Sequence, residues 1–148
     1  MTRILIIAGI GAALMASPAA AMTEAECAAA WTKADANKAG TVTEAEAGRY
    51  FAALRVANQP VTDAKLTGAQ FLQYCKTGVF DAKMDPGAPL SGSNSFTEGQ
   101  AKDRAMAAGF MNVTALKKDA NGVWRGNASD GAKTVNVAID FKGNVVAN

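Results

Sequence analysis

The 148-residue chain contains no histidine. That absence excludes Ser-His and Cys-His catalytic pairs and His-ligated zinc sites. Catalysis by carboxylates or a Ser-Lys pair is left, but no spacing argues for either, so the chain does not read as an enzyme. Cysteine is nearly as scarce. Cys27 and Cys75 are the whole supply, without the Cys-x-x-Cys spacing of a redox-active pair. An excess of one charge is also missing. The 15 bases meet 13 acids, and no basic cluster is interleaved with aromatics, so nothing argues for nucleic acid or an anionic membrane as partner. Long apolar runs are lacking too. The run from Ile4 to Ala16 has 13 residues, whereas a helix crossing a bilayer needs about 20.

That run reads instead as the core of a secretory signal peptide over residues 1–21. Arg3 supplies the positive start, Ala19-Ala20-Ala21 the small-residue cleavage site, and Met22 the first mature residue. A periplasmic or secreted location follows, with no membrane association once the signal is removed. Export also bears on the cysteines. Their even count favours one disulfide, which would stabilise by about 4 kcal/mol in the loop-entropy description. A pair of free thiols is the other reading.

The most informative stretch is Asp35-Ala36-Asn37-Lys38-Ala39-Gly40-Thr41-Val42-Thr43-Glu44-Ala45-Glu46. It resembles the twelve-residue calcium loop of an EF-hand. Asp35 and Asn37 stand first and third, each with a side-chain oxygen. Gly40 stands sixth, where the backbone turns sharply. Thr41 would give its carbonyl, Thr43 would ligate directly or through water, and Glu46, the twelfth, would close the sphere with both oxygens. The fifth place departs from the pattern, because Ala39 has no oxygen to give. Calcium takes about six to eight oxygens, so water must complete the sphere, and one weak Ca2+ site is expected, near 10⁻⁴–10⁻³ M. A lanthanide suits the same cage. The residues also have a metal-free reading. Thr43-Glu44-Ala45-Glu46 is a helix capping box, and Asp-x-Asn near glycine is ordinary turn chemistry.

Around the loop, residues 22–80 read as helical. Thr23 and Glu26 open a helix running to Ala34, with Cys27, Ala30, Trp31 and Ala34 on one face. Glu44 to Ala57 is a second helix, with Ala47, Tyr50, Phe51, Leu54 and Ala57 as its apolar stripe. Lys65-Leu66-Thr67-Gly68-Ala69-Gln70 echoes Thr41 to Glu46, and a third helix follows from Gly68 to Lys76. The echo resembles the degenerate second loop of an EF-hand pair. Ala64 stands in the glycine's place and Gln70 in the glutamate's, so no metal is expected there. The resemblance implies an antiparallel contact of Val42 with Leu66. It also implies that the helices carrying Cys27 and Cys75 lie side by side, within disulfide reach.

Pro86, Gly87, Pro89 and Gly92 mark residues 81–94 as a linker. Beyond it, Ser95-Phe96-Thr97-Glu98 reads as a capping box for a helix to Ala108, with Gly109 after it. The period then becomes two. Val113, Ala115 and Lys117 alternate on one strand. Asp119 to Gly122 turns into Val123–Ser129. Asp130-Gly131 turns into a third strand with Val135, Val137, Ile139 and Phe141 on one face. Lys142-Gly143-Asn144 leads to a short end at Val145-Val146. Residues 95–147 resemble the PepSY module. The resemblance is carried by Thr97-Glu98-Gly99-Gln100-Ala101, Ala107-Ala108-Gly109, Asn121-Gly122-Val123-Trp124 and the run from Val137 to Val145. It implies a module that binds or inhibits proteins, with an unidentified protein partner in the cell envelope.

The expected fold class is α+β. An all-α EF-hand-like pair would be followed by one helix packed on a three-stranded antiparallel sheet over residues 95–148. The expected function is a periplasmic calcium-binding protein with an interaction module. The alternative is a metal-free protein-binding or protease-modulating module whose loop is vestigial.

Overall fold

The computed structural model describes residues 22–81, 85 and 87–147, so the signal peptide expected at 1–21 lies outside the described residues. In chain order the elements are α1 (Glu24–Ala34), β1 (Thr41–Thr43), α2 (Glu44–Val56), β2 (Lys65–Thr67), α3 (Gly68–Lys76), α4 (Glu98–Ala107), β3 (Met111–Lys118), β4 (Trp124–Asp130), β5 (Lys133–Ile139) and β6 (Val145–Ala147).

Threonine starts the helices. At α1, α3 and α4 the Thr hydroxyl accepts the N–H three residues on, and a Glu or Gln there reaches back to the Thr N–H. Each box satisfies donors a helix start would otherwise leave unpaired, worth about 1 kcal/mol. The box of α4 is Thr97 with Gln100, not Ser95 with Glu98. Asn94 Oδ1 accepts the Phe96 N–H at 3.0 Å, which turns the chain before Thr97 and moves the start of the helix.

In the first half β1 and β2 pair antiparallel, with Val42 opposite Leu66. The bridge between Cys27 of α1 and Cys75 of α3 is formed, with Cα atoms 5.8 Å apart, and the free-thiol reading falls. Both sulfurs sit in a core with Val42, Leu54, Leu66 and Phe71. Tyr50, Phe71 and Phe80 meet with ring centroids 4.6 to 5.0 Å apart, the tilted and edge-on geometry that aromatic quadrupoles favour.

The second half is a four-stranded meander in the order β3-β4-β5-β6, where three strands were expected. The short end at Val145-Val146 extends to Ala147 and pairs with β5, Ile139 opposite Val145 and Val137 opposite Ala147. Ala101 and Ala105 of α4 are fully buried against Val113, Leu116, Val137 and Ile139 on one sheet face. β3 does not alternate. Val113 and Leu116 point inward, while Ala115 and Lys117 are exposed. The cause is a pair of register slips at Asn112 (φ 51°) and Ala115 (φ 55°), each adding one residue to the strand as a bulge does. Phe141 leaves the strand. It lies in the turn after β5, its ring so close over Gly92 that a Cβ there would stand 2.6 Å from it.

The described part of the expected linker is bound to the sheet. Asp85 N–H donates to Asn144 Oδ1, Leu90 N–H to Asp140 Oδ2 and Gly92 N–H to the Asn121 carbonyl, at 2.9 to 3.0 Å. The two halves meet where α2 crosses α4. Arg49 Nε donates to the Ala107 carbonyl, and Arg55 clamps Asp103 through Nε and Nη2 at 3.0 and 2.7 Å. This second interface explains why Ala52 and Ala53 are buried although they stand off the expected stripe of α2.

Candidate functional site

The loop between α1 and α2 is organised by its first residue. Asp35 caps α1 and is 8% exposed. Its Oδ1 accepts the Ala39 N–H at 2.8 Å and its Oδ2 accepts the Gly40 N–H at 3.0 Å. Gly40 takes φ +75° in open space, a conformation that favours glycine. Asn37 Oδ1 also accepts the Ala39 N–H, and its Nδ2 donates to Glu46 Oε1 at 2.6 Å. The third and twelfth places of the loop therefore touch across its mouth. Glu46 Oε2 accepts both the N–H and the hydroxyl of Thr43, at 2.9 and 2.8 Å. The bond from the Thr43 N–H, then that from its hydroxyl, hold the Glu46 carboxyl below the usual carboxylate range, and Asn37 adds to them. Thr41 opens β1 beside this mouth, and Val42 is buried beneath it.

Asn37, Thr43 and Glu46 are thus in direct contact, with Asp35 bracing the turn that carries them. Among the described residues no cluster of three or more His, Cys, Asp or Glu side chains is placed to hold a metal ion. The loop's offer is two carboxylates plus amide, hydroxyl and carbonyl oxygens. That all-oxygen set fits a hard divalent cation in kind, and its low charge fits weak binding. The second loop makes no comparable offer. Asp63 and Ala64 carry the turn at φ 54° and 51°, and Gln70 Oε1 is taken by the Thr67 N–H and hydroxyl.

A second polar centre escaped the sequence reading. Asp140 is fully buried. Its Oδ1 accepts the N–H groups of Lys142 and Asn144, and its Oδ2 accepts Leu90 N–H and Asn144 Nδ2, at 2.8 to 3.0 Å. Burial pushes this carboxyl up, but the bonds from Asn144, Leu90 and Lys142 outweigh it, and the net shift is downward. Asp119 repeats the turn. Its Oδ1 accepts Asn121 and Val123 N–H groups, and Arg125 beside Oδ2 at 2.8 Å is the main cause of its lowered pKa. The shared signal is Asp followed by Gly three residues on. The oxygens of both carboxylates are occupied by donors, so these are structural groups rather than reactive ones.

A cavity of about 610 Å³ runs between the ends of α2 and α4 and strand β6. Val56, Phe80, Phe110 and Val146 line it, with Arg104 at its wall. No described helix is long and apolar enough to cross a membrane. No family model, curated protein or solved structure matches the chain.

Proposed function

We propose that the chain is an exported calcium-binding protein, an EF-hand pair with one working loop joined to a PepSY-like protein-interaction half. The observation that carries this reading is the Asn37 amide 2.6 Å from Glu46 Oε1. Two side chains nine positions apart meet above a turn already braced by Asp35, so the donors are gathered in advance and the ion need not pay the whole ordering cost. Asp35, Asn37, the Thr41 carbonyl and Glu46 would hold the ion, with Thr43 acting directly or through a water. Calcium supplies only a charge that draws these oxygens together. The chain supplies the cage, and Ala39 leaves a place for solvent.

The experiment is a thermal melt of the mature protein with and without calcium. Because an ion that binds only the folded state stabilises it, calcium at ten times its Kd should add about 1.4 kcal/mol. Glu46→Gln is expected to abolish the shift. A wild-type melting temperature indifferent to 10 mM calcium (about ten times the weakest expected Kd) overturns the reading.

One observation favours a second reading. Glu46 Oε2 already has two donors from Thr43, so the loop can close without metal. A protein-binding or protease-modulating module with a vestigial loop would then remain, indifferent to calcium and sensitive to reductant.

A further inference from the structure

α2 is two pieces rather than one. Ala47, one residue after Glu46, is non-helical at φ −133° and ψ 36°. The piece before it, Glu44 to Glu46, belongs to the loop. The piece after it belongs to α4, through Arg49 on the Ala107 carbonyl and Arg55 on Asp103. Arg55 also reaches back over the break, its Nη1 2.9 Å from Glu44 Oε1. On an unbroken helix those residues, 11 apart, would have Cα atoms about 16 Å distant. Extended Arg and Glu side chains, with the 2.9 Å bond between them, together reach only about 15 Å. The Glu44–Arg55 pair therefore depends on the bend.

We propose that Ala47 is a hinge coupling cation capture by the Asp35–Glu46 loop to the α2–α4 interface, with the Arg55 clasp favouring the cation-free arrangement. This rests on the calcium-binding reading above. To turn both oxygens toward a cation, Glu46 must withdraw Oε2 from Thr43. The turn that carries Glu46 also carries Glu44, and between them and the rest of α2 the break at Ala47 is the soft point. Moving that turn takes Glu44 away from Arg55, while Arg55 keeps Asp103. Cation binding and the clasp therefore compete, and by linkage whatever weakens the clasp tightens the cation. The clasp is half exposed, 41% and 54% for the two side chains, so its loss should tighten calcium by about two- to fivefold.

The test is calorimetric titration of the mature protein with calcium, alongside backbone amide spectra of residues 98–107. Arg55→Gln opens the clasp. Glu44→Gln opens it while leaving Arg55 on Asp103, and it removes a negative charge near the loop, an effect that alone would weaken binding. Tighter binding in both variants is expected, with wild-type α4 amides shifting at the same midpoint as the loop amides. Calcium binding that leaves α4 amides unmoved and both variants no tighter than wild type overturns the coupling and spares the metal reading. No calcium response anywhere in the wild type overturns both.

Discussion

Ala64 turns the second loop at φ 51°, where the first loop has Gly40 at φ 75°. A left-handed conformation costs an L-residue roughly 1–2 kcal/mol. Ala64→Gly should therefore raise stability by about 1 kcal/mol, after the greater freedom of glycine in the unfolded chain is deducted. A urea midpoint that does not rise counts against the strain. Gly126 shows the opposite case. A Cβ there would sit 2.6 Å from the Thr114 carbonyl oxygen, which is backbone and cannot swing aside. Gly126→Ala should cost about 2–3 kcal/mol, read by the same denaturation. Glu46 adds a pH dependence. Its folded pKa is lowered, so its stabilising contribution is present above the ordinary carboxylate value near 4.3 and is lost as pH falls through the lower native value. Asp140 has the same sign. Melting temperatures taken downward from pH 7 should decline below about pH 4, and Glu46→Gln should make that decline shallower.

Among elements, α4 and the Asp140 turn separate what spacing reveals from what it hides. The Thr-x-x-Glu/Gln spacing acts within one turn of chain, so the starts of α1, α2 and α3 were legible in the residues. α4 was offset because Thr97 is preceded by Ser95, another good cap, and only the Asn94 bond to Phe96 N–H decides between them. Asp140 fell inside the strand expected to reach Phe141, and only Asp119 was legible as a turn. The bond of Asp140 to Leu90 N–H was hidden, since the partners are 50 positions apart and glycine and proline nearby read as linker. Asp140→Ala would leave these buried donors unpaired and should cost about 3 kcal/mol. The period of β3 was misread because Asn112 and Ala115, not glycines, take the left-handed conformation. The break in α2 was equally hidden, since alanine is the best helix former. In the candidate site the positions of Asp35, Asn37, Thr41, Thr43 and Glu46 were legible one by one. That Glu46 is shared between Thr43 and Asn37 needed coordinates.

At the scale of the molecule, two kinds of link hold the parts. The first half is closed by Cys27–Cys75, spanning 48 positions. Replacing both cysteines with serine should cost about 2–5 kcal/mol, measured by chemical denaturation of the mature chain. The halves are joined instead without a covalent cross-link, by Arg49 and Arg55 together with the buried Ala52 and Ala53 where α2 crosses α4, and such an interface permits more adjustment than the bridge.

The two slips in β3 have a consequence for the molecule among its copies. β3 is an outer strand of its sheet, and an outer strand normally presents an even ladder of amides that invites a stranger to zip on. Here the ladder loses step at Asn112 and again at Ala115, and Lys117 and Lys118 close the end with charge. Concentrated solutions should stay free of cross-β fibres, and deleting both Asn112 and Ala115 to restore the even step should let them grow.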